Sequence, residues 1–148
     1  MSRVDDLLDK LRNAKFMTKL DMTKGYLQIP IRPEDVPLTG FVTLRRHFAW
    51  KFMAFGLSGA PSSFCKLVRK LFEGLDDFCA AYLDHIIIFS TLWESHLEHL
   101  TVVLERIANA HLTLNLHKCV FANAELDFWG IILRCKPFSR ELRKWKQF

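Results

Sequence analysis

Two short apolar runs joined by two polar residues constrain the fold of this chain more than any other feature. The runs are Phe78–Leu83 and Ile86–Ser90, and Asp84-His85 lies between them. Runs of this length suit buried strands, and a two-residue connection between strands predicts a tight hairpin. Such a hairpin carries its polar side chains at the tip, where an otherwise apolar sheet ends.

Helical and extended patterns alternate along the rest of the chain. Phe16–Leu20 predicts a strand that ends at Asp21, and Tyr26–Ile31 predicts a second extended segment. The order of all elements predicts an α+β fold, in which helices cover one face of an antiparallel sheet. The other predicted elements are a helix through Val4 and Leu11, a hairpin of Phe41–Leu44 with Phe48–Met53, helices over Ser62–Gly74 and Trp93–Ala110, and a last hairpin of Cys119–Ala122 with Leu126–Leu133.

The composition is that of a folded domain with a sizeable core. Of the 148 residues, 50% are hydrophobic and 13 are Phe, more than disordered chains contain. The formal net charge of +5 suits a polyanionic partner, although proteins that never bind nucleic acid often carry such a charge. The 4 Cys are far apart and form no C-x-x-C pair, which favours free thiols over a zinc knuckle.

The apolar runs are also too short to cross a membrane. The longest of them, Ile86–Phe89, is far below the roughly 18 residues that a membrane span needs. No signal peptide pattern precedes it. We therefore expect an intracellular protein, in the cytoplasm or nucleus, with no membrane partner.

Two carboxylates each end an apolar strand. Asp21 follows Lys19-Leu20, and Asp84 follows Tyr82-Leu83. A carboxylate in such a place needs water, a cation or a partner, and two of them on adjacent strands would suit a Mg²⁺ ion, which prefers oxygen ligands. Asp is also common in turns. The spacing alone therefore leaves a metal site and a pair of ordinary turn residues as alternatives.

Several segments of the chain match the motifs of one protein family in their order and spacing. Lys19–Ile29, Phe55–Phe64 and Tyr82–Ile86 resemble, respectively, the first catalytic motif, the loop and helix under the templating base pair, and the tyrosine-x-aspartate-aspartate motif of reverse transcriptases. The resemblance is to the enzymes of gypsy-type long-terminal-repeat retrotransposons. Further matching segments are Glu98-His99-Leu100, Lys118–Phe121 and Phe128-Trp129-Gly130.

The resemblance implies a fold and a domain organisation. Residues 1–133 would form a reverse transcriptase palm, with a ferredoxin-like core and part of the fingers, and residues 134–148 would be a basic, aromatic-rich tail outside the match. Both ends look like cuts through a larger Pol polyprotein, so we expect the remaining fingers before Arg3 and the thumb and ribonuclease H domain after Phe148. Nothing within the chain predicts ribonuclease H activity, because no separate cluster of four acids is present.

The resemblance also implies roles for single residues. Asp21 and Asp84 would bind two Mg²⁺ ions, and Met22 would offer a backbone carbonyl to one of them. Tyr26 would exclude a ribose 2′-hydroxyl, although a core aromatic is the alternative for it and for Phe128. The implied partners are an RNA or DNA template with its primer and deoxynucleoside triphosphates. The remaining implied contacts are Phe55 and Gly56 in the nucleotide pocket and Phe128, Trp129 and Gly130 in the primer grip.

His85 departs from the family motif, which has aspartate at this position. An imidazole offers one nitrogen in place of a carboxylate, and it suits softer metals than Mg²⁺. The exchange also removes a negative charge where two dications would bind. We therefore expect severely impaired polymerisation, with a Mn²⁺ or Zn²⁺ site as one alternative. A catalytically inert remnant that binds nucleic acid or protein is the competing hypothesis for the whole chain.

Two weaker patterns have more than one interpretation. His96 and His99 have the spacing of a metal pair on a helix, but no third ligand is evident, and a solvated helix face is the alternative. Some basic side chains could contact phosphates, or they could be ordinary solvated charges. These basic residues are Lys10, Arg12, Lys15, Lys66, Arg69 and Lys70.

Overall fold

An antiparallel sheet of four strands lies at the centre of the fold. The computed structural model describes residues 10–11, 13–128 and 131–134. The strands in chain order are β1 (Phe16–Asp21), β2 (Phe41–Val42), β3 (His47–Phe48), β4 (Cys79–Tyr82), β5 (His85–Ser90), β6 (Val120–Asn123), β7 (Glu125–Phe128) and β8 (Ile131–Arg134). The helices are α1 (Ala60–Leu71) and α2 (Trp93–Asn109), with 3₁₀ helices at Gly25–Gln28, Val36–Thr39 and Leu116–Lys118. The central sheet has the strand order β4-β5-β1-β6.

The apolar runs Phe78–Leu83 and Ile86–Ser90 form the predicted hairpin. Strands β4 and β5 pair antiparallel, and their last pair joins Tyr82 to His85. The predicted tip, Asp84-His85, is therefore wrong by one residue, because Leu83 and Asp84 make the turn and His85 begins β5. Leu83 has a φ of 52°, in the left-handed region that tight hairpin turns use.

The central strands are buried on both faces, which explains why β5 reads as a continuous apolar run. Ile86 and Ile88 point to the side on which α1 and α2 pack, where they join a core that includes Phe64. Ile87 and Phe89 point to the other side, into a second cluster with residues of β7 and β8. The α+β fold with helices on one face of an antiparallel sheet is confirmed.

Helix α1 begins two residues before the predicted start. Its first residue is Ala60 and its N-cap is Gly59, whereas Ser62, where the predicted helix begins, lies inside the first turn. Pro61 suits this turn because the first N–H groups of a helix have no intrahelical partner. Gly74 follows the helix with a φ of 79°, as expected for a glycine that ends one.

Two other predictions are wrong. The segment from Tyr26 does not extend, because a 3₁₀ helix spans Gly25–Gln28. The last hairpin also differs: β6 pairs with β1, and β7 pairs with β8. Apolar periodicity identifies a strand but not its partner, and here the partner of β6 lies about a hundred positions earlier in the chain.

The remaining predictions have mixed outcomes. The hairpin of β2 and β3 is confirmed, but its strands have only two residues each. Cys65, Cys79 and Cys119 are free thiols as expected. Burial, with a smaller contribution from Asp76, raises the pKa of Cys79 to about 12.

None of the described helices is long and apolar enough to cross a membrane. The predicted N-terminal helix, apart from Lys10 and Leu11, and the tail from residue 135 lie outside the described residues.

A buried polar network joins α2 to the sheet. The Nε2 of His96 lies 2.8 Å from the Thr18 hydroxyl, and its Nδ1 lies 2.9 Å from the Ser90 hydroxyl. The Ser90 hydroxyl is also 2.8 Å from Nδ1 of His99, and the N–H of Ala122 donates to the Thr18 hydroxyl. The predicted solvated helix face is therefore wrong for His96, which is fully buried. His99 is half-buried and stacks on Phe78.

One direction of donation satisfies every group in this network. The Thr18 hydroxyl accepts from Ala122 and donates to His96 Nε2, the N–H at His96 Nδ1 donates to Ser90, and the Ser90 hydroxyl donates to His99. This chain requires a neutral His96. Burial, together with the neighbouring His99, lowers the pKa of His96 to about 4.

The neutral state of His96 predicts a loss of stability in weak acid. The unfolded chain binds a proton at the ordinary pKa of 6.5, whereas the folded chain resists protonation until about pH 4. Stability is therefore fully present above pH 6.5 and falls as the pH drops toward 4. Between about pH 7 and pH 5 the free energy of unfolding should decrease by about 2 kcal/mol, as measured by urea denaturation.

Matched variants assign this effect to His96. His96→Gln keeps hydrogen-bonding groups but cannot titrate in this range, so it should lose most of the difference between the two pH values. His117→Gln changes an exposed histidine and should keep the difference. An equal free energy of unfolding at both pH values in the unmodified chain would contradict a neutral buried His96.

Candidate active site

The end of β1 holds Asp21 in a fixed, buried position. Asp21 lies opposite His85 in the antiparallel pairing of β1 with β5. The backbone N–H of Asn115 donates to the Asp21 carbonyl at 2.8 Å, and the Asp21 N–H lies 3.4 Å from the Cys119 sulfur. The Asp21 side chain is only 8% exposed. A carboxylate this buried needs a cation or a donor beside it.

The turn after β4 brings Asp84 to the same place. The N–H of Met22, the residue after Asp21, donates to the Asp84 carbonyl at 3.0 Å. This bond holds the hairpin turn against the end of β1. The Asp84 side chain is 46% exposed, so it faces solvent across the site from the buried Asp21. Both predicted metal ligands are therefore brought together.

The imidazole of His85 lies between the two carboxylates. Its Nε2 is 3.3 Å from an Asp21 oxygen, and its Nδ1 is 3.0 Å from an Asp84 oxygen. One ligand atom from each of the three residues can be chosen so that all lie within 4.8 Å of one another. Among the residues that the structure describes, this is the group with metal-ligand spacing, and the pair His96 and His99 does not belong to it.

Aromatic rings form a wall beside these side chains. The Tyr26 ring centre lies 5.3 Å from that of Phe55 and 5.1 Å from that of Phe64. Phe55 is 68% exposed, whereas Phe64 is fully buried. Tyr26 is half-buried, so its ring packs on the core and also borders open space. The two interpretations of Tyr26, core aromatic and pocket wall, are compatible.

Two glycines lie in the loops around the site. A Cβ at Gly25 would lie 3.5 Å from the Phe64 ring and 3.6 Å from the Asp84 Cβ, which are ordinary contact distances, so this residue lies beside Asp84. Gly56 has a φ of 92°, which L side chains rarely adopt, and it follows the exposed Phe55. In the predicted nucleotide pocket, the 3₁₀ helix that carries Tyr26 adjoins the loop that carries Phe55 and Gly56.

The primer-grip prediction falls largely outside the described part of the chain. Phe128 ends β7, where its backbone pairs with Ile131, and its side chain is not described. Trp129 and Gly130 lie outside the described residues. Their role stays a prediction.

Gln28 is a positioning residue that the sequence argument missed. Its Oε1 accepts from the N–H of Thr113 at 2.6 Å, and its Nε2 donates to the Thr113 carbonyl at 3.0 Å. These bonds tie the 3₁₀ helix that carries Tyr26 to the segment that pairs with the end of β1. Gln28 lies within the matched Lys19–Ile29 segment, but only the tertiary structure places it against Thr113.

Loss of this clamp should weaken the fold. Gln28→Ala removes both bonds to the Thr113 backbone, and we expect the free energy of unfolding to fall by about 1–2 kcal/mol in urea denaturation. Thr113→Ala is the matched control, because it keeps both backbone bonds to Gln28 and removes only the exposed hydroxyl, which donates to Gln28 Oε1 at 3.1 Å. We expect it to change stability by less than about 0.5 kcal/mol. Equal effects of the two substitutions would show that Gln28 does not act through the backbone of Thr113.

Comparison with known proteins identifies the family of this fold and site. Residues 1–133 match the family model described as "Reverse transcriptase (RNA-dependent DNA polymerase)". The chain belongs to this family. The match spans the central sheet, both helices and all three residues of the Asp21, Asp84 and His85 cluster.

Several curated proteins are similar in sequence to this reverse transcriptase domain. The "RNA-directed DNA polymerase homolog" of Oenothera berteroana is 43% identical over 107 residues, which cover 70% of this chain and 75% of that protein. The "Retrovirus-related Pol polyprotein from transposon 297" of Drosophila melanogaster is 37% identical over 88% of this chain. The "Enzymatic polyprotein" of Cestrum yellow leaf curling virus is 36% identical over 90% of it. The chain spans only 12% and 21% of these last two proteins.

Solved structures share the fold. The crystal structure of the prototype foamy virus protease–reverse transcriptase has a TM-score of 0.79, covers 89% of this chain and is 22% identical to it. A structure of the foamy viral enzyme with an RNA/DNA hybrid has a TM-score of 0.77. This chain covers 18% of each of those chains. The implied palm fold is thus confirmed at low sequence identity.

Proposed function

We propose that this reverse transcriptase domain derives from the Pol polyprotein of a gypsy-type long-terminal-repeat retrotransposon. The motif sequences at Lys19–Ile29, Phe55–Phe64 and Tyr82–Ile86 support this subtype. Relatives named as Pol polyproteins of Drosophila transposons agree with it. The ancestral reaction is template-directed DNA synthesis on RNA or DNA. Any ribonuclease H activity would belong to a whole polyprotein and not to these residues.

The proposed partner is a primer–template duplex, with deoxynucleoside triphosphates at the Tyr26, Phe55 and Gly56 pocket. Foamy viral relatives have been solved with RNA/DNA hybrid and with double-stranded DNA. Charge supports the same partner here, because the segment from Val36 to Phe72 holds six Lys or Arg and no Asp or Glu. We propose a location in the cytoplasm or nucleus, where such a partner would be available.

Catalysis in this chain is severely impaired in our proposal, and the position of His85 carries that conclusion. The reaction of the family depends on divalent metal ions, and two Mg²⁺ ions would need oxygen ligands around both. Here an imidazole lies 3.3 Å from Asp21 and 3.0 Å from Asp84, so nitrogen donors occupy the space between the carboxylates. The imidazole also supplies no negative charge. The residues present do not fit a pair of Mg²⁺ ions.

The same observation supports a second candidate function. A reverse transcriptase fold that cannot hold its metal pair can still bind nucleic acid, because phosphate contacts and base stacking do not require the metals. Under this alternative the chain is a catalytically inert binding module. Primer extension and binding measurements separate the two.

Primer extension by the unmodified chain and by His85→Asp tests the catalytic proposal. On an RNA template with Mg²⁺ or Mn²⁺, we expect the unmodified chain to extend the primer at least about 100-fold more slowly than His85→Asp does. The unmodified chain lacks the carboxylate at position 85, which would stabilise the reaction electrostatically. His117→Asp makes the same exchange on an exposed 3₁₀ helix and should restore nothing. Equal extension by the unmodified chain and His85→Asp at a substantial rate would refute the impairment, and no extension by either would favour the inert module.

Binding to a primer–template duplex tests the partner. Lys66, Arg69 and Lys70 are exposed on α1 and are free to approach a phosphate backbone. Three phosphate contacts predict roughly 40-fold weaker binding as salt rises from about 50 to about 200 mM. Replacement of all three by Gln should weaken binding and remove most of this dependence, as measured by fluorescence anisotropy.

A different lysine provides the control for the binding test. The Lys10 ammonium donates to the Asp76 carbonyl at 2.6 Å, so it is already engaged within the fold. Lys10→Gln should leave the salt dependence unchanged. Arg12 lies outside the described residues. A chain that binds no duplex at low salt would contradict both candidate functions.

A further inference from the structure

We infer that Asp21, Asp84 and His85 form a site for a single transition-metal ion that accepts imidazole nitrogen, with Zn²⁺ or Co²⁺ as its chemical class. The inference concerns the same cluster as the proposed function, but it does not depend on polymerisation. His85 does not fit a pair of Mg²⁺ ions, but together with Asp21 and Asp84 it offers one nitrogen and two oxygen donors to a single ion.

Asp21 and one ring nitrogen of His85 already have the spacing of two ligands of one small ion. With metal–ligand bonds of about 2.0–2.2 Å, the ligand atoms of a tetrahedral site lie roughly 3.4 Å apart. The His85 Nε2 is 3.3 Å from an Asp21 oxygen, and one atom from each residue lies within 4.8 Å of the others. Asp84 contacts the other ring nitrogen, Nδ1, at 3.0 Å, so its half-exposed side chain would turn toward Nε2 to complete the set. The fourth position would face solvent and take water.

The backbone holds the donors in place before an ion arrives. Asp21 and His85 are directly opposite in the pairing of β1 with β5. The Met22 N–H bond to the Asp84 carbonyl holds the backbone of the third donor against the same strand end, and only the Asp84 side chain has to turn. A site assembled by a sheet and its turn loses little conformational freedom on binding.

Charge also favours one ion over two. The two carboxylates supply two negative charges and the imidazole supplies none, so the ligands neutralise one dication. A second dication would be left without a matching anion. An aspartate at position 85 would add the missing charge and an oxygen donor, which is why His85 changes both the number and the type of ion.

Ligand chemistry sets the order of affinity. Imidazole suits Zn²⁺ and Co²⁺, whereas Mg²⁺ prefers an all-oxygen shell and releases its waters reluctantly. The affinity should therefore be highest for Zn²⁺, lower for Co²⁺, lower again for Mn²⁺ and least for Mg²⁺. Carboxylates alone bind these ions in the same order, so the imidazole of His85 widens the preference for Zn²⁺ and Co²⁺ over Mg²⁺ and does not create it.

Titration of the full chain with Co²⁺ at neutral pH, without nucleic acid, tests the inference. We expect one Co²⁺ per chain, with visible d–d absorption from nitrogen and oxygen ligands, displaced by Zn²⁺ but not by millimolar Mg²⁺. Cobalt held by Cys65, Cys79 or Cys119 would instead give thiolate charge-transfer absorption. That outcome, or the absence of saturable Co²⁺ binding, would overturn the site.

Variants connect the signal to His85. His85→Ala should weaken Co²⁺ binding by at least about 100-fold, because even residues that only orient a metal ligand cost about 10- to 100-fold. His85→Asp should retain binding and shift the preference toward Mg²⁺ and Mn²⁺, which a merely structural role for His85 would not produce. His117→Ala should change nothing, and far-ultraviolet circular dichroism checks that each variant folds. Unchanged Co²⁺ affinity in folded His85→Ala would show that His85 is not a ligand.

Failure of this inference is distinguishable from failure of the proposed function. Metal binding is measured in the absence of primer, template and nucleotides. A chain that binds duplex but no Co²⁺ would retain the proposed partner and lose the transition-metal site. A chain that binds Co²⁺ but no duplex would do the reverse.

Discussion

The antiparallel pairing of β1 with β5 is the interaction on which the rest of the structure depends. It sets Asp21 opposite His85, and the turn before β5 then carries Asp84 to the same strand end. Both strands are buried on both faces, so a shift of one residue would move each side chain into the layer that is packed around its neighbour. The register, and with it the geometry of the acids, is therefore enforced by the core.

Polar contacts add to the apolar layers in holding the strands and the loops around the site together. On one side of the sheet, the His96 side chain connects Thr18 of β1 to Ser90 of β5 inside the protein. At the strand end, Gln28 and Asn115 hold the surrounding loops to one another and to Asp21. The sheet thus has a buried histidine that must stay neutral and, at its other end, a second histidine placed between two carboxylates.

His85 changes the metal chemistry of this domain without changing its fold or its family. The family match and the fold identify a reverse transcriptase, and both depend on many residues distributed along the chain. Metal chemistry depends on a few atoms, so one substitution can change it while the fold is preserved. The structure makes the substitution more consequential than the motif alone suggests, because the ring contacts both acids instead of pointing away from them.

The sequence by itself determined the α+β class, the hairpin of β4 and β5, the two acids at strand ends and, through its motifs, the family. These features are local, because they depend on apolar runs, turn residues and spacing within short segments. Only the tertiary structure decided that β6 pairs with β1, that His96 is buried and that Gln28 clamps Thr113. It also decided that the His85 ring lies between Asp21 and Asp84. Each of these joins residues far apart in the chain, or sets the direction of a side chain, and periodicity along a single segment carries no information about either.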